Sequence, residues 1–179
     1  MRFAILLSSL IVAGCGGTQS VQDDSGNAAA KNPDQQSFDT NGDKKPDSWK
    51  YYRRVSGKQV LARKEYDLNF DGKPDVVRRF NDKGQLVADA LDLDFDSVPD
   101  VKTTYENNLP VRKELDLQFD SKPDVIRKYT KGQLRELKAD TDGDGRFDHF
   151  ELYKNGKLTQ VGVDEDGDGQ PDPDKWQEK

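Results

Sequence analysis

The stretch from Asp140 to Glu151, which reads DTDGDGRFDHFE, places five carboxylates within twelve residues. They stand at its first, third, fifth, ninth and twelfth places, and a glycine stands at the sixth. Carboxylates this close together repel one another unless a cation lies between them. Ca²⁺ is a hard cation that takes about six to eight oxygen ligands, which alternate side chains of a tight loop can supply. The spacing therefore predicts a calcium site.

A similar acidic segment occurs six times from Phe38 onward. The segments read FDTNGDKKPD, YDLNFDGKPD, LDLDFDSVPD, LDLQFDSKPD, ADTDGDGRFD and VDEDGDGQPD. The first aspartates of the six segments lie 28, 25, 24, 24 and 24 residues apart and are Asp39, Asp67, Asp92, Asp116, Asp140 and Asp164. A near-constant period of this size is the mark of a tandem repeat.

The pattern D-x-[DN]-x-[DN]-G resembles the calcium loop of EF-hand proteins. In the fifth segment the resemblance covers the whole loop and implies a carbonyl ligand from Arg146 and side-chain ligands from Asp140, Asp142, Asp144, Asp148 and Glu151. In the sixth segment it implies a carbonyl ligand from Gln170 and side-chain ligands from Asp164, Asp166, Asp168 and Asp172. In the first two segments the corresponding residues are Asp39, Asn41, Asp43, Asp47, Asp67, Asn69, Asp71 and Asp75.

The third and fourth segments fit the pattern least well. Ser97 replaces glycine in the third segment, and Gln118 and Ser121 depart from the pattern in the fourth. The second to fourth segments also alternate leucine and phenylalanine with the acidic residues, at Leu68/Phe70, Leu93/Phe95 and Leu117/Phe119. Such alternation is typical of a strand that buries one face, and the aspartates would then be its solvated side. We therefore expect calcium first in segments five and six.

Two departures distinguish these segments from a true EF-hand. The eighth place is proline, which lacks an N–H, in five of the six, at Pro46, Pro74, Pro99, Pro123 and Pro171. The flanking sequences also read as strands, whereas an EF-hand has paired helices. The phrase D-x-N-x-D-G-x-P-D more closely resembles the loops of thrombospondin type 3 and FG-GAP-like repeats. That resemblance covers the nine-residue loops only, and it implies that calcium organises an extended chain.

The segments between the acidic loops predict β-hairpins. An aromatic residue follows the last aspartate by five places in each of the first five units, at Tyr52, Phe80, Tyr105, Tyr129 and Tyr153. Turns such as VSGK, TKGQ and KNGK come next, and a second short run follows. A helical alternative exists for QLRELKA. We expect an elongated all-β array of about 24-residue hairpins over residues 38–179, with the aromatic column as its core.

The N-terminal residues predict export and lipid attachment. Arg2, an apolar run from Phe3 to Val12 and small residues form the layout of a signal peptide over residues 1–14. The sequence VAGC resembles the lipobox of bacterial lipoproteins, and the resemblance implies cleavage after Gly14 and lipid on Cys15, the only cysteine. Residues 15–37 would be a disordered tether. Gly16 and Gly17 differ from the aspartate of an inner-membrane retention signal, so we expect the outer membrane.

The composition argues against several classes of function. Beyond residue 14 the chain carries 27 basic and 34 acidic side chains, a net charge of −7, which disfavours nucleic acid as a partner. Charged residues make up 35% of the chain and hydrophobic residues 32%, so a large core is not expected. Its single histidine, His149, and the absence of nucleophile, zinc or nucleotide motifs argue against an enzyme.

Two hypotheses of function follow. In the first, calcium stiffens a lipid-anchored envelope module with a structural or adhesive role. In the second, the hairpin array binds a polysaccharide or an envelope protein, and calcium is incidental. Exposed aromatic side chains in the hairpins would favour the second hypothesis, and buried ones would favour the first.

Overall fold

The computed structural model describes residues 34–179, so the predicted signal peptide, Cys15 and most of the predicted tether lie outside the described residues. The described chain is all-β, as predicted. Its twelve strands form one antiparallel sheet in which the spatial order equals the chain order. The strands are β1 Gln35–Phe38, β2 Ser48–Val55, β3 Lys58–Tyr66, β4 Val76–Phe80, β5 Leu86–Leu91, β6 Val101–Glu106, β7 Leu109–Leu115, β8 Val125–Thr130, β9 Gln133–Ala139, β10 His149–Lys154, β11 Lys157–Val163 and β12 Gln177–Glu178.

Tight turns close the hairpins. The two central residues of four turns have positive φ, as a type I′ turn requires, and these pairs are Ser56-Gly57, Asn107-Asn108, Lys131-Gly132 and Asn155-Gly156. In the remaining hairpin the N–H of Asn81 donates to the carbonyl of Gln85 at 2.9 Å. QLRELKA forms β9, so its helical alternative is not realised. The predicted hairpin array is confirmed.

The aromatic column is not the core that the sequence predicted. The register of each hairpin shifts by a β-bulge immediately before the aromatic residue, at Tyr52, Phe80, Tyr105, Tyr129 and Tyr153. All five side chains are only half-buried. Among the described residues every strand packs only against its neighbours in sequence, so no other strand covers these side chains.

The best-buried apolar side chains lie close to the acidic loops instead. They are Val76, Val101, Ile126 and Phe150, and each is at most 9% exposed. Val76 and Val101 belong to one row of directly paired residues that crosses eleven strands, namely Phe38, Ser48, Tyr66, Val76, Leu91, Val101, Leu115, Val125, Ala139, His149 and Val163. The apolar residue that precedes each acidic segment is therefore a member of this row.

Strand β1 begins at Gln35, three residues before the predicted start of the repeat region at residue 38. Strand β1 pairs with β2 from Gln35 opposite Tyr51 to Phe38 opposite Ser48. The carbonyl of Asp34 accepts the N–H of Tyr52 at 2.7 Å. The residues of β1 show little apolar pattern of their own, so it is the exposed edge of β2 that recruits them into the sheet.

Candidate metal centre

Six acidic loops connect alternate pairs of strands and therefore lie at one end of the strands, with the tight turns at the other. We number them loop 1 to loop 6, comprising residues 39–47, 67–75, 92–100, 116–124, 140–148 and 164–172. The alternating strand that the sequence suggested for loops 2 to 4 is not formed, because these residues follow a series of bends. Phe70, Phe95 and Phe119 have positive φ, and they are exposed with their neighbouring leucines.

The first aspartate of each loop bends the chain by accepting backbone N–H groups. In loop 5 the carboxylate of Asp140 accepts the N–H of Gly143 at 2.8 Å and that of Gly145 at 2.7 Å. In loop 6 Asp164 accepts the N–H groups of Gly167 and Gly169 at 2.8 and 2.6 Å. The bond from the sixth place recurs in all six loops. This pattern requires positive φ at the fourth and sixth places, whatever residue stands there.

The last aspartate of each loop closes it by accepting the N–H of the second place, at 2.5 to 2.9 Å. In loop 1 the hydroxyl of Thr40 also donates to Asp47, at 2.8 Å. First and last aspartates are among the most buried side chains of the described residues, at 4% to 8% exposure for Asp47, Asp67, Asp75, Asp92, Asp100, Asp116, Asp124 and Asp164. Buried carboxylates need such partners, and these aspartates therefore have a structural role that the sequence analysis missed.

The aspartates at the third and fifth places are exposed and less completely satisfied. Asp142 accepts the N–H of Asp144 at 3.2 Å, and Asp144 accepts that of Arg146 at 2.8 Å. Both bonds use one oxygen of the carboxylate, so the second oxygen of each group has no such bond. A carboxylate carries about four lone-pair sites. These groups therefore retain capacity to ligate a cation.

Three groups of aspartates lie close enough to share one metal ion. In each group, one carboxylate oxygen from every member lies within 4.8 Å of the others, and the groups are Asp92–Asp94–Asp96, Asp140–Asp142–Asp144 and Asp164–Asp166–Asp172. Oxygens on opposite sides of a Ca²⁺ ion stand about 4.6–5.2 Å apart, twice the usual ligand distance. The spacing of the three groups, which we call triads, suits a metal ion.

Two of the triads lie in the loops that the sequence ranked first, but the loop 3 triad was ranked low. Its sequence signal is the set of four aspartates at places one, three, five and nine. Ser97 stands where the pattern has glycine, and its φ of 77° shows that serine adopts the required conformation here. Serine at the sixth place therefore does not prevent loop 3 from adopting the conformation of the other loops.

The structure does not gather every predicted ligand of loops 5 and 6. Asp148 accepts the N–H and the hydroxyl of Thr141 at 2.9 and 2.6 Å. Glu151 lies in β10, where its carboxylate accepts the Tyr153 hydroxyl at 2.5 Å and is 3.2 Å from His149 Nε2. Both residues lie outside the loop 5 triad, as Asp168 lies outside that of loop 6. The main chains of Arg146 and Gln170 donate to Asp144 and Asp168.

Loops 1 and 2 repeat this geometry with an amide at the third place. Asn41 accepts the N–H of Asp43 at 2.9 Å, and Asn69 accepts that of Asp71 at 3.1 Å. Asp39 and Asp67 accept N–H groups as the first aspartates do elsewhere, and Asp47 and Asp75 close the loops. An amide oxygen can ligate calcium but carries no charge.

The electrostatics of the triads favour a cation. Desolvation and the charges of Asp96, Asp100 and Asp92 raise the pKa of Asp94, although the N–H of Asp96 lowers it. The N–H of Asp168 lowers the pKa of Asp166, but the charges of Asp168 and Asp172 and desolvation outweigh it, so this pKa is raised. A raised carboxyl pKa shows that the folded state disfavours the negative charge there.

The first aspartate of loop 6 behaves in the opposite way. Desolvation raises the pKa of Asp164, but the N–H groups of Gly169 and Gly167 outweigh it, so the pKa is lowered overall. The backbone thus stabilises the charge at the first place of this loop, whereas the charge at the third place is only partly compensated, by one N–H group, and is available to a metal.

Residues 34–179 contain no helical segment that could cross a lipid bilayer. Neither protein-family models nor curated proteins yield a match to this chain.

Proposed function

We propose that this protein is a lipid-anchored component of the bacterial cell envelope whose acidic loops bind Ca²⁺ and stiffen a structural or adhesive module. The observation that carries the proposal is the set of three aspartate triads in the loops at one end of the strands. The third-place carboxylates with raised pKa, Asp94 and Asp166, belong to two of these triads.

The chemistry of the ligands favours calcium over softer metals. The triads offer carboxylate oxygens and no imidazole or thiolate, which suits Ca²⁺, Mg²⁺ or Mn²⁺. Ca²⁺ tolerates irregular sets of six to eight oxygens, whereas Mg²⁺ demands an almost ideal octahedron. Each triad offers three carboxylate oxygens from a bent loop, and backbone carbonyls or water would have to complete the coordination, which suits the more tolerant ion.

Because the core is small, metal binding would contribute appreciably to the stability of the fold. Among the described residues only four apolar side chains are less than a tenth exposed, and no side chain is fully buried. A cation that binds only the folded loops adds its binding free energy to folding. Extracellular calcium modules bind with Kd of about 10⁻⁴–10⁻³ M. At about ten to a hundred times Kd, one site adds about 1.4–2.7 kcal/mol.

The test is a calorimetric calcium titration combined with thermal melting. We expect one ion per occupied triad and a Tm that is several degrees higher in millimolar Ca²⁺ than in EDTA, since about 1 kcal/mol shifts Tm by about 2–4 °C in a domain of this size. Mg²⁺ at the same concentration should give a smaller shift. Identical melting curves in EDTA and in Ca²⁺ would contradict the proposal.

The membrane anchor rests on the lipobox-like VAGC sequence and is tested separately. Replacing Cys15 by Ser removes the thiol that would carry the lipid. We expect this variant to leave the membrane fraction and the wild type to remain in it, because several acyl chains hold a protein stably in a bilayer. If the Cys15→Ser variant stays with the membrane, the anchor is wrong whatever the loops bind.

A further inference from the structure

Six apolar side chains protrude from loops 2, 3 and 4. They occupy the second and fourth places of these loops and are 43% to 56% exposed, and we call them the apolar ridge: Leu68, Phe70, Leu93, Phe95, Leu117 and Phe119. The three loops are neighbours, since the N–H of Asp92 donates to the carbonyl of Asp75 and that of Asp116 to Asp100, both at 2.8 Å. Exposed apolar surface that repeats in adjacent units is unusual on a chain of this polarity.

The backbone of the ridge is unfavourable for the residues it carries. Phe70, Phe95 and Phe119 have φ of 64°, 67° and 59°. This left-handed region is an outlier for bulky side chains and suits glycine. Loops 1, 5 and 6 do have glycine at the same place, with φ of 84°, 78° and 76° at Gly42, Gly143 and Gly167. Neither the local conformation nor burial among residues 34–179 explains phenylalanine at this place, and strained exposed residues of this kind point to function.

The surroundings of Phe70 explain only in part why phenylalanine stands at the fourth place of loop 2. Phe70 lines a small cleft together with Asn41, Lys45 and Pro46 of loop 1, so it lies beside the preceding loop. About half of its surface nevertheless remains exposed. The leucines at the second place are as exposed, at 49% to 56%. Contact between loops therefore does not account for the ridge.

The surroundings of the ridge are strongly acidic. Loops 2, 3 and 4 contain ten aspartates and two lysines, Lys73 and Lys122, which gives a net charge of −8. A second copy that approached with the same edge would meet like charge, and an anionic membrane would be repelled. One cation in the loop 3 triad would still leave this edge acidic. A basic partner with apolar side chains complements both properties of the surface.

We propose that the apolar ridge is a docking surface for an amphipathic, basic polypeptide segment of another protein. The loops repeat every two strands, which is about 9.5 Å in the direction perpendicular to the strands. Residues seven apart on one face of an α-helix are about 10.5 Å apart, so one helical face can reach successive leucine–phenylalanine pairs. The lysines or arginines of such a segment would lie against Asp71 and Asp120, which are exposed and lie outside the three triads. This inference does not depend on the calcium proposal.

The test uses the intact protein in millimolar Ca²⁺ and a helical peptide with leucines on one face and lysines on the other. The main variant combines Leu68→Thr, Leu93→Thr and Leu117→Thr. Loops 1 and 5 have threonine at this place, and its hydroxyl donates to the last aspartate at 2.8 Å from Thr40 and 2.6 Å from Thr141. We therefore expect an unchanged or higher Tm, and an affinity for the peptide that falls by about tenfold or more.

A second variant, Phe70→Gly with Phe95→Gly and Phe119→Gly, introduces the glycine of loops 1, 5 and 6. It should likewise lose affinity. The control is Leu109→Thr, because Leu109 is 45% exposed but follows a tight turn at the opposite end of the strands. This control should bind the peptide as the wild type does.

Several results would overturn the proposal. The proposal is wrong if the wild type does not bind the lysine peptide, or if it binds equally well a peptide with glutamate in place of lysine. It is also wrong if both triple variants bind the lysine peptide with unchanged affinity. If phosphatidylcholine vesicles bind the wild type but not the variants, the ridge contacts a membrane instead. If the wild type dimerises and the variants do not, the occupant is a second copy.

Discussion

The backbone N–H of Asp92 donates to the backbone carbonyl of Asp75 at 2.8 Å, and so joins the first residue of loop 3 to the last residue of loop 2. The same bond joins every successive pair of loops, from Asp67 and Asp47 to Asp164 and Asp148. The aspartates at these junctions use their main chain to hold loops together and their side chains to shape each loop. A row of acidic loops thus extends the hydrogen-bonded sheet beyond the ends of its strands.

Removing a buried last aspartate should cost far more stability than removing an exposed one. Asp75 is 4% exposed and accepts the N–H groups of Leu68 at 2.6 Å and Asn69 at 3.2 Å. Asp75→Ala leaves both donors without their acceptor, and we expect a loss of about 2–3 kcal/mol. Asp71 accepts the N–H of Lys73 in an exposed position, where water can replace it, so Asp71→Ala should cost under about 1 kcal/mol. Urea unfolding in EDTA measures both, and equal losses would contradict this division of roles.

Calcium affinity should depend on the triads and not on acidic loops in general. Asp144 belongs to the loop 5 triad, whereas loop 4 has Gln118 at its third place and forms no triad among the described residues. Asp144→Ala should therefore weaken calcium binding more than Asp120→Ala, as measured by calorimetry. Asp142→Asn keeps an acceptor for the N–H of Asp144, as Asn41 does for Asp43, but removes a charge. It should lower the affinity without lowering the Tm in EDTA. The reverse ranking of Asp144 and Asp120 would contradict the assignment.

Tyr153 should make the fold sensitive to alkaline pH. Its hydrogen bond to Glu151, then burial and the charge of Glu151, raise the pKa of Tyr153 to about 12 from 10.0. Because the folded-state pKa is raised, this tyrosine contributes its full stability below pH 10, and the contribution is lost as the pH rises from about 10 to about 12. Tyr153→Phe should lose less stability than the wild type across that range. Tyr129→Phe, at the equivalent place of the preceding unit, is the control, and a decline equal in the wild type and in Tyr153→Phe would disprove the linkage.

Deleting one whole unit should leave the remaining array folded. Removal of residues 92–115 joins Leu91 to Asp116, which reproduces the Leu–Asp junction of the third and fourth units, and brings Asp116 to the place of Asp92. Within residues 34–179 each strand packs only against its sequence neighbours, so stability is close to a sum over units and interfaces. We expect cooperative melting with strand content reduced in proportion. Deletion of residues 104–115, half a unit, should abolish cooperative melting of this region. A cooperative half-unit variant, or an unfolded whole-unit one, would contradict a one-dimensional array.

The sequence by itself determined the fold class, the period and the chemistry of the loops. These properties depend on local signals: turn residues such as Asn155 and Gly156 that accept positive φ, short runs rich in β-branched and aromatic residues, and aspartates at fixed places. A residue's neighbours within about ten positions decide such features, and the repeat displays them several times over. Hairpins and acidic loops could therefore be predicted without knowledge of the packing.

The tertiary structure decided which of these residues are buried and which are exposed to solvent. Asp75 is buried because loop 2 bends around it and the N–H of Asp92 in loop 3 donates to its carbonyl. The sequence motif alone does not distinguish it from the exposed Asp71. Phe70 reads as a core residue in an alternating pattern, yet it is exposed because the bonds to Asp67 bend the loop away from a strand. Burial depends on contacts between units and on which side chains the described strands leave uncovered, and the residues of one loop determine neither.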